Sequence, residues 1–237
     1  MKPQDEIQAV AARYARRQHS AITDRYSPLQ PDVWQTLHER QRVLIALLRR
    51  AGLLQLGHLR LTEVGCGGGG NLLELLRLGF APENLQGVEL LPERFAQARA
   101  ALPAATRLWQ GDAADPVQAP VAANSQDLVL QSTVFSSLLD DAFQQRLART
   151  MWQWLRPGGA VIWYDFAVDN PRNPDVRGVP LAKVQQLFPR ARIRARRVTL
   201  APPLARVVCR LHPALYGLCN ALPLLRTHRL AWIEKPE

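Results

Sequence analysis

Residues 61–70 read Leu61-Thr62-Glu63-Val64-Gly65-Cys66-Gly67-Gly68-Gly69-Gly70. The first four residues predict a short buried strand, and the periodicity after the glycines predicts a helix beginning near residue 70. Glycines at such a junction let the backbone turn sharply and approach a ligand closely, while the N–H groups of the helix face that ligand. Gly65, Gly67 and Gly70 also fit the dinucleotide pattern G-x-G-x-x-G. Taken alone this pattern is weak evidence, because a tight strand-to-helix connection without a ligand uses the same residues.

Short apolar runs alternate with helical segments on both sides of this turn. The predicted strands are Leu59–Val64, Leu85–Leu90, Thr106–Trp109, Asp127–Ser132, Ala160–Asp165, Arg192–Thr199 and His228–Glu234. The predicted helices lie near 70–79, 92–101, 139–155 and 180–188, with Asp140 and Asp141 as caps of the third. This alternation predicts an α/β fold with a Rossmann-like, doubly wound sheet that is mostly parallel and has an antiparallel last strand.

The chain divides into three parts by texture. Residues 1–57 have the periodicity of helices and are predicted to form an N-terminal helical cap. Residues 58–237 are predicted to form the sheet domain. Within that domain, residues of about 201–226 carry one apolar helical stripe before the last strand. A lid over an acceptor pocket, a dimer face and a helix resting on an anionic membrane are three interpretations of this insert, in that order of preference.

Composition excludes several classes of protein. At 237 residues, 47% hydrophobic and 21% charged, the chain has the composition of an ordinary globular protein. Its three cysteines make neither a disulfide framework nor a metal-ligand pattern, so we expect no metal. The first residues lack the apolar core of a secretion signal, and the uncharged stretch Leu211–Leu225 is 15 residues long, too short to span a bilayer. We therefore expect a cytoplasmic location.

The net charge of +10 is unevenly distributed. Residues 1–57 contain nine Arg and Lys against five Asp and Glu, and residues 190–210 contain seven Arg and no acidic residue. The part between them is close to neutral. This distribution favours an anionic acceptor or surface that is met by the two ends of the chain, although solvated arginine faces are equally compatible with it.

Carboxylates follow the first three strands at matching positions. Glu63 ends the first strand, Glu89 ends the second and Asp112 follows the third. Farther along come the segment Asp127-Leu128-Val129-Leu130-Gln131 and the turn Leu155-Arg156-Pro157-Gly158-Gly159. This succession, over residues of about 59–166, resembles the class I S-adenosylmethionine-dependent methyltransferases.

The resemblance implies S-adenosylmethionine as cofactor, S-adenosylhomocysteine as its product, and a role for each matching residue. The glycine turn would face the amino-acid part of the cofactor, with Glu63 near its ammonium group. Glu89 would accept hydrogen bonds from the ribose hydroxyls, Asp112 and Ala113 would bind adenine, and Gln131 would lie beside the sulfonium. The implied cofactor residues are Glu63, Gly65, Cys66, Gly67, Gly69, Glu89, Leu90, Asp112, Ala113, Gln131 and Tyr26. A solvated strand end for Glu89 and a turn cap for Asp112 are the alternatives.

Motifs that are absent from the sequence narrow the class of methyl acceptor. Some methyltransferases that act on adenine or glutamine carry an Asn/Asp-Pro-Pro-aromatic motif after the fourth strand, where this chain has Gln131-Ser132-Thr133-Val134-Phe135. A Pro-Cys nucleophile for cytosine is also absent from the sequence. Methylation of a small molecule or glycan, on oxygen, is therefore the leading hypothesis. An RNA or protein methyltransferase and an NAD-dependent oxidoreductase that shares the glycine turn are the alternatives, and a homodimer or a peripheral membrane contact stays open.

The segment after the fifth strand supplies the candidates for acceptor chemistry. Asp165 stands at the predicted catalytic edge as a base or as a group that orients the acceptor, or else it caps the following loop. Arg172 and Arg177 could bind a phosphate or carboxylate of the substrate. Pairing of these arginines with Asp169 and Asp175 is the structural alternative.

Overall fold

The computed structural model describes residues 3–18, 27–170 and 173–237. The helices are α1 (Pro3–Gln18), α2 (Pro31–Arg50), α3 (Gly70–Arg77), α4 (Pro92–Ala101), α5 (Asp141–Trp154), α6 (Leu181–Leu187), α7 (Pro202–Leu211) and α8 (Leu215–Asn220). The strands are β1 (Leu61–Val64), β2 (Leu85–Glu89), β3 (Arg107–Gln110), β4 (Gln126–Ser132), β5 (Leu155–Phe166), β6 (Arg192–Leu200) and β7 (Arg226–Glu234).

The seven strands form one sheet in the order β3-β2-β1-β4-β5-β7-β6. The first five strands pair in parallel, and β7 is antiparallel to both of its neighbours, β5 and β6. Because β6 is antiparallel to β7, it runs in the same direction as β5. The carboxyl ends of β1 to β6 therefore meet at one edge of the sheet, which is where open α/β sheets bind ligands.

Two apolar layers cover the faces of the sheet. One face packs against α1, α5 and α6 through a cluster that includes Phe143, Met151 and Trp163. The other face packs against α2, α3 and α4 through a cluster that includes Leu48, Leu72 and Ala98. The helix caps are local: Asp140 Oδ1 accepts a hydrogen bond of 2.6 Å from Phe143 N at the start of α5, as its position predicted.

The insert before the last strand differs from the single helical stripe that the sequence predicted. It forms two short helices, α7 and α8, separated by His212, Pro213 and Ala214. Pro213 lacks the N–H group that a continuing helix needs, which explains the break. A small core of its own, with Leu200, Val208 and Tyr216 among its members, holds the two helices together. Among the described helices none is long and apolar enough to cross a membrane.

Candidate active site

A pocket of about 740 Å³, counted together with the open solvent at its mouth, lies at the carboxyl edge of β1 to β4. Its floor comes from the strand ends, including Glu89, Asp112 and Thr133. Its wall comes from helices on one face of the sheet, with Tyr14 of α1 and Phe143 of α5 among the lining residues. An elongated, amphiphilic ligand fits this mixture of carboxylates and apolar side chains.

The glycine turn brings the backbone to the pocket. Gly65 lines the pocket with φ at 64°, and a Cβ on it would stand 2.6 Å from Cγ2 of Val134. Gly69 has φ at 85°, and a Cβ on it would stand 2.9 Å from Cδ1 of Leu102. Both positions therefore need glycine for conformation and for space. The Cys66 side chain points instead toward β2, as the distance of 2.8 Å between its Sγ and the position of a Cβ on Gly87 shows.

Glu89 ties this turn to the end of β2. Its Oε2 accepts a hydrogen bond of 2.7 Å from Gly67 N, and its Oε1 accepts one of 2.9 Å from Leu91 N. The carboxylate lines the pocket together with Leu90. Each carboxylate oxygen has two lone pairs, so both oxygens can still accept a hydrogen bond from a ligand. The structure thus holds the Glu89 carboxylate in a fixed orientation toward the pocket.

Glu63 is completely buried beneath the turn, on the side of α2 and α3. Its Oε1 accepts a hydrogen bond of 2.5 Å from Asn71 Nδ2, and Asn71 Oδ1 accepts one of 2.6 Å from Arg40. The second oxygen, Oε2, is buried and has no hydrogen-bond partner among the described residues. Burial raises the pKa of Glu63 to about 8, because an unpaired carboxylate is costly to remove from water. An orphaned acceptor of this kind suits a cationic or neutral donor group of a ligand.

Asp112 lines the pocket, but both of its carboxylate oxygens already have partners within the chain. Oδ1 accepts a hydrogen bond of 2.8 Å from Ala114 N, and Oδ2 accepts one of 3.1 Å from Arg146 of α5. Ala113 lies beside it on the pocket wall. The remaining lone pairs of Asp112 are available to a ligand, while Arg146 fixes the rotamer of the side chain.

Gln131 and Asp165 are buried at the ends of β4 and β5, where they shape the segment that follows β4. Gln131 Oε1 accepts a hydrogen bond of 3.2 Å from Val134 N. Asp165 accepts one of 3.1 Å from Ser136 N and one of 2.9 Å from Phe166 N. Burial raises the pKa of Asp165 to about 6. Both side chains thus fix backbone beside the pocket, whose lining includes Val134.

The predicted substrate arginines are placed in different ways. Arg172, like the cofactor candidate Tyr26, lies outside the described residues. Arg177 forms an ion pair with Asp141 at the start of α5, and its backbone N–H donates to the carbonyl oxygen of Ser136 at 2.8 Å. Asp175, which the sequence offered as an alternative partner for the arginines of this segment, pairs with Arg16 at 2.7 Å.

Helix α1 supplies a part of the pocket that is not among the predicted cofactor residues. Val10 and Tyr14 line it, and the guanidinium of Arg94 lies 4.6 Å from the centre of the Tyr14 ring. The four-residue spacing of Val10 and Tyr14 places them on one helix face, and that spacing is the signal that could have indicated a buried wall.

A buried ion pair holds α1 in place. Glu6 Oε1 accepts hydrogen bonds from Arg13 at 2.7 Å and from Leu139 N at 2.8 Å. The same Arg13 nitrogen, Nη2, donates to the carbonyl oxygen of Ser137 at 3.0 Å. Helix α1, which forms a wall of the pocket, is therefore hydrogen-bonded to the segment between β4 and α5. Across the part of the chain that the structure describes, no group of three side chains is arranged to hold a metal ion.

Comparison with known proteins shows which domain family and which solved structures this chain resembles. Residues 62–163 match a family model described as a methyltransferase domain. The chain is similar in structure to a SAM-dependent methyltransferase from Archaeoglobus fulgidus, at 15% identity and a TM-score of 0.58, over 82% of this chain and 94% of that one. It is also similar to an S-adenosylmethionine-dependent methyltransferase from Mesorhizobium loti, at 20% identity and a TM-score of 0.56, over 80% and 96%.

A third similar structure is the [4+2]-cyclase SpnF, at 16% identity and a TM-score of 0.57, over 81% of each chain. No curated protein sequence matches the chain. Likenesses at these identities concern the fold, and the name of the cyclase indicates that one fold supports more than one reaction. The matched domain, the strand order and the carboxylates at consecutive strand ends agree with the resemblance that the sequence indicated. Residues 62–163 thus match a methyltransferase domain, and the fold of the chain is similar to that of S-adenosylmethionine-dependent methyltransferases.

Proposed function

We propose that this protein transfers the methyl group of S-adenosylmethionine to an oxygen of a small-molecule or glycan acceptor. The observation that carries the proposal is the pocket in which Glu89 and Asp112 stand at consecutive strand ends beside the Gly65 turn. When bound, the cofactor supplies an electrophilic methyl group on a sulfonium. The acceptor attacks that carbon in line, so the protein contributes mainly by positioning the two reactants.

The residues of the pocket fit the parts of this cofactor. The fixed carboxylate of Glu89 suits a pair of ribose hydroxyls, and Asp112 with Ala113 suits the edge of adenine. Glu63 is not among the residues that line the pocket, but its buried Oε2, which has no hydrogen-bond partner among the described residues, is the group that we expect to meet the ammonium beside the Gly65 turn. The apolar wall from α1 and α5 would exclude water from the bound molecule.

Two features support the acceptor class: the absence of nucleobase motifs from the sequence, and the burial of Cys66. The segment after β4 carries no nucleobase motif. Cys66 is buried in the turn, and burial raises the pKa of its thiol, which makes it a poor nucleophile. These features support a small molecule or a glycan over a nucleobase. The role of Asp165 as a base stays a prediction: a pKa of about 6 suits proton removal at neutral pH, whereas its two backbone hydrogen bonds suit positioning.

Ligand-dependent thermal unfolding tests the cofactor. S-adenosylhomocysteine at 100 times its dissociation constant should add about 2.7 kcal/mol of stability, which corresponds to a rise in Tm of about 5–11 °C for a domain of this size. Glu89→Ala should remove most of that rise, while Glu83→Ala, an exposed carboxylate in the turn before β2, should leave it intact. A rise with NAD and none with S-adenosylhomocysteine would overturn the proposal.

The acceptor is tested by transfer of a radioactive methyl group. Purified protein would be incubated with methyl-labelled S-adenosylmethionine and with matched pairs of small acceptors that carry either a hydroxyl or an amine at the same position. Labelling of the hydroxyl member supports transfer to oxygen. Labelling of total RNA or of protein, with none of the small acceptors labelled, would replace this acceptor class by the macromolecular alternative.

A further inference from the structure

The insert exposes a group of aliphatic side chains that the pocket does not use. These side chains, which we call the insert face, are Val207, Leu211, Leu218, Leu222 and Leu224. Leu211 is 76% exposed and Leu218 is 71% exposed. Clusters of exposed leucines on adjacent helices mark an interaction surface, whereas single exposed leucines are ordinary.

The outward orientation of this face is fixed by the other side of the insert. Val208 and Cys209 of α7 and Tyr216 of α8 are buried in the small core of the insert. The Tyr216 hydroxyl donates a hydrogen bond of 2.7 Å to Oε2 of Glu39 in α2, which is itself buried. That oxygen also accepts a hydrogen bond of 3.0 Å from Thr199 N. The helices are thus anchored to the body of the protein, and the leucines face away from it.

The charge of the insert itself has a single sign. From Ala201 to Arg226 the sequence contains no Asp or Glu and three arginines, Arg206, Arg210 and Arg226. Arg210 is exposed next to Leu211. Arg226 donates to the carbonyl oxygens of Asn220 and Arg197, which leave its positive charge in place.

The sign of the charge decides between a second copy of the chain and a lipid surface. A twofold dimer would set the insert face against itself, and it would bring the arginines of the two copies together. An anionic bilayer accepts both components, because the leucines enter the boundary of the acyl chains while the arginines meet phosphate groups. Asp32, at the start of α2, is an acidic residue near α7. It lies on the side of Cys209, which is buried in the insert, and not on the side of the exposed leucines.

We propose that the insert face docks the protein on an anionic phospholipid bilayer. The insert leaves the sheet after Leu200, at the end of β6, and returns at Arg226, at the start of β7. Both points lie at the carboxyl edge of the sheet, which is also the edge of the pocket. Docking would therefore turn the cofactor edge of the protein toward the membrane.

Vesicle sedimentation tests the proposal on the full chain. Vesicles of phosphatidylcholine with 40% phosphatidylglycerol should co-sediment the protein at low salt, pure phosphatidylcholine vesicles should do so at least tenfold less well, and 0.5 M salt should weaken the binding. The double variant L211E/L218E should bind the anionic vesicles about 100-fold more weakly, at about tenfold for each leucine removed from the lipid.

A matched control carries the same change of charge elsewhere. In L54E/V117E the two replaced side chains are 73% and 86% exposed and lie outside the insert, so this variant should retain most of the binding. Circular dichroism would show that both variants fold. Equal binding by L211E/L218E and L54E/V117E would overturn the proposal. Absence of wild-type binding, together with a dimer in gel filtration that L211E/L218E converts to a monomer, would also overturn it and assign the face to a second copy.

Discussion

Replacing Glu63 by glutamine should stabilise the free protein, and the gain should grow with pH. The side chain is 0% exposed, and its Oε2 has no hydrogen-bond partner in the part of the chain that the structure describes. Burial raises its pKa from 4.5 to about 8. Between pH 4.5 and about 8 the folded protein keeps a proton on Glu63 that the unfolded chain has lost. The free energy of unfolding that this group contributes is therefore fully present below pH 4.5 and falls as the pH rises toward 8.

The magnitude follows from the size of the shift. One pKa unit corresponds to 1.36 kcal/mol, so a shift from 4.5 to about 8 costs at most about 5 kcal/mol once the carboxylate is ionised. For a domain of this length that upper bound corresponds to about 10–20 °C in Tm. Glutamine retains the oxygen that accepts from Asn71 and carries no charge, so Glu63→Gln should not show this loss.

The assay is thermal unfolding by circular dichroism at pH 5.5, 7 and 8.5, without ligand. The Tm of Glu63→Gln minus that of the wild type should be smallest at pH 5.5 and should exceed 5 °C at pH 8.5. Glu83→Gln, at an exposed position, should show no such trend. A difference that stays constant from pH 5.5 to 8.5 would refute the assignment of Glu63 as a buried carboxyl without a compensating partner.

Three further predictions concern the site and its anchors. Glu89→Ala should weaken S-adenosylmethionine binding at least tenfold, since a hydrogen bond to a charged group contributes about 1.5–3 kcal/mol; calorimetry that gives an unchanged Kd would contradict its place in the site. Tyr216→Phe should lower the free energy of unfolding by about 1–3 kcal/mol in urea, because Glu39 loses a buried donor, and a loss below 0.5 kcal/mol would show that this hydrogen bond does not anchor the insert. Gly65→Ala should cost about 1–3 kcal/mol through its positive φ and its clash with Val134; in the double variant with Val134→Ala the strain of φ alone should remain, and no recovery at all would remove the steric part of the explanation.

The order of helices and strands could be predicted from the sequence because each boundary has a local cause. Pro92 begins α4, as predicted for a residue without an N–H group at the first helical position. β5 begins five residues earlier than predicted, at Leu155, because Leu155 pairs with Gln126 of β4 across an irregularity in the register. Such pairing depends on neighbours that are distant in sequence, and no local pattern reveals it.

Two of the carboxylates that line the pocket could be predicted from the sequence, whereas their contacts could not. The carboxylates of Glu89 and Asp112 line the pocket at the strand ends where the sequence set them. The long-range contacts could not be predicted: Arg146 reaches Asp112 from 34 residues away, and Glu6, which holds the α1 wall, reaches Leu139 from 133 residues away. Long polar side chains choose partners by the packing of whole elements, and a single sequence does not encode that choice in a local pattern.

The buried ion pair of α1 has an energetic consequence for the pocket wall. Val10 and Tyr14 line the pocket, and the ion pair between Glu6 and Arg13 lies on the same helix. Any movement of α1 away from the pocket would leave Leu139 N and the Ser137 carbonyl without these partners. Because breaking a buried, hydrogen-bonded ion pair is costly, this wall of the pocket is held in place by polar contacts as well as by apolar packing.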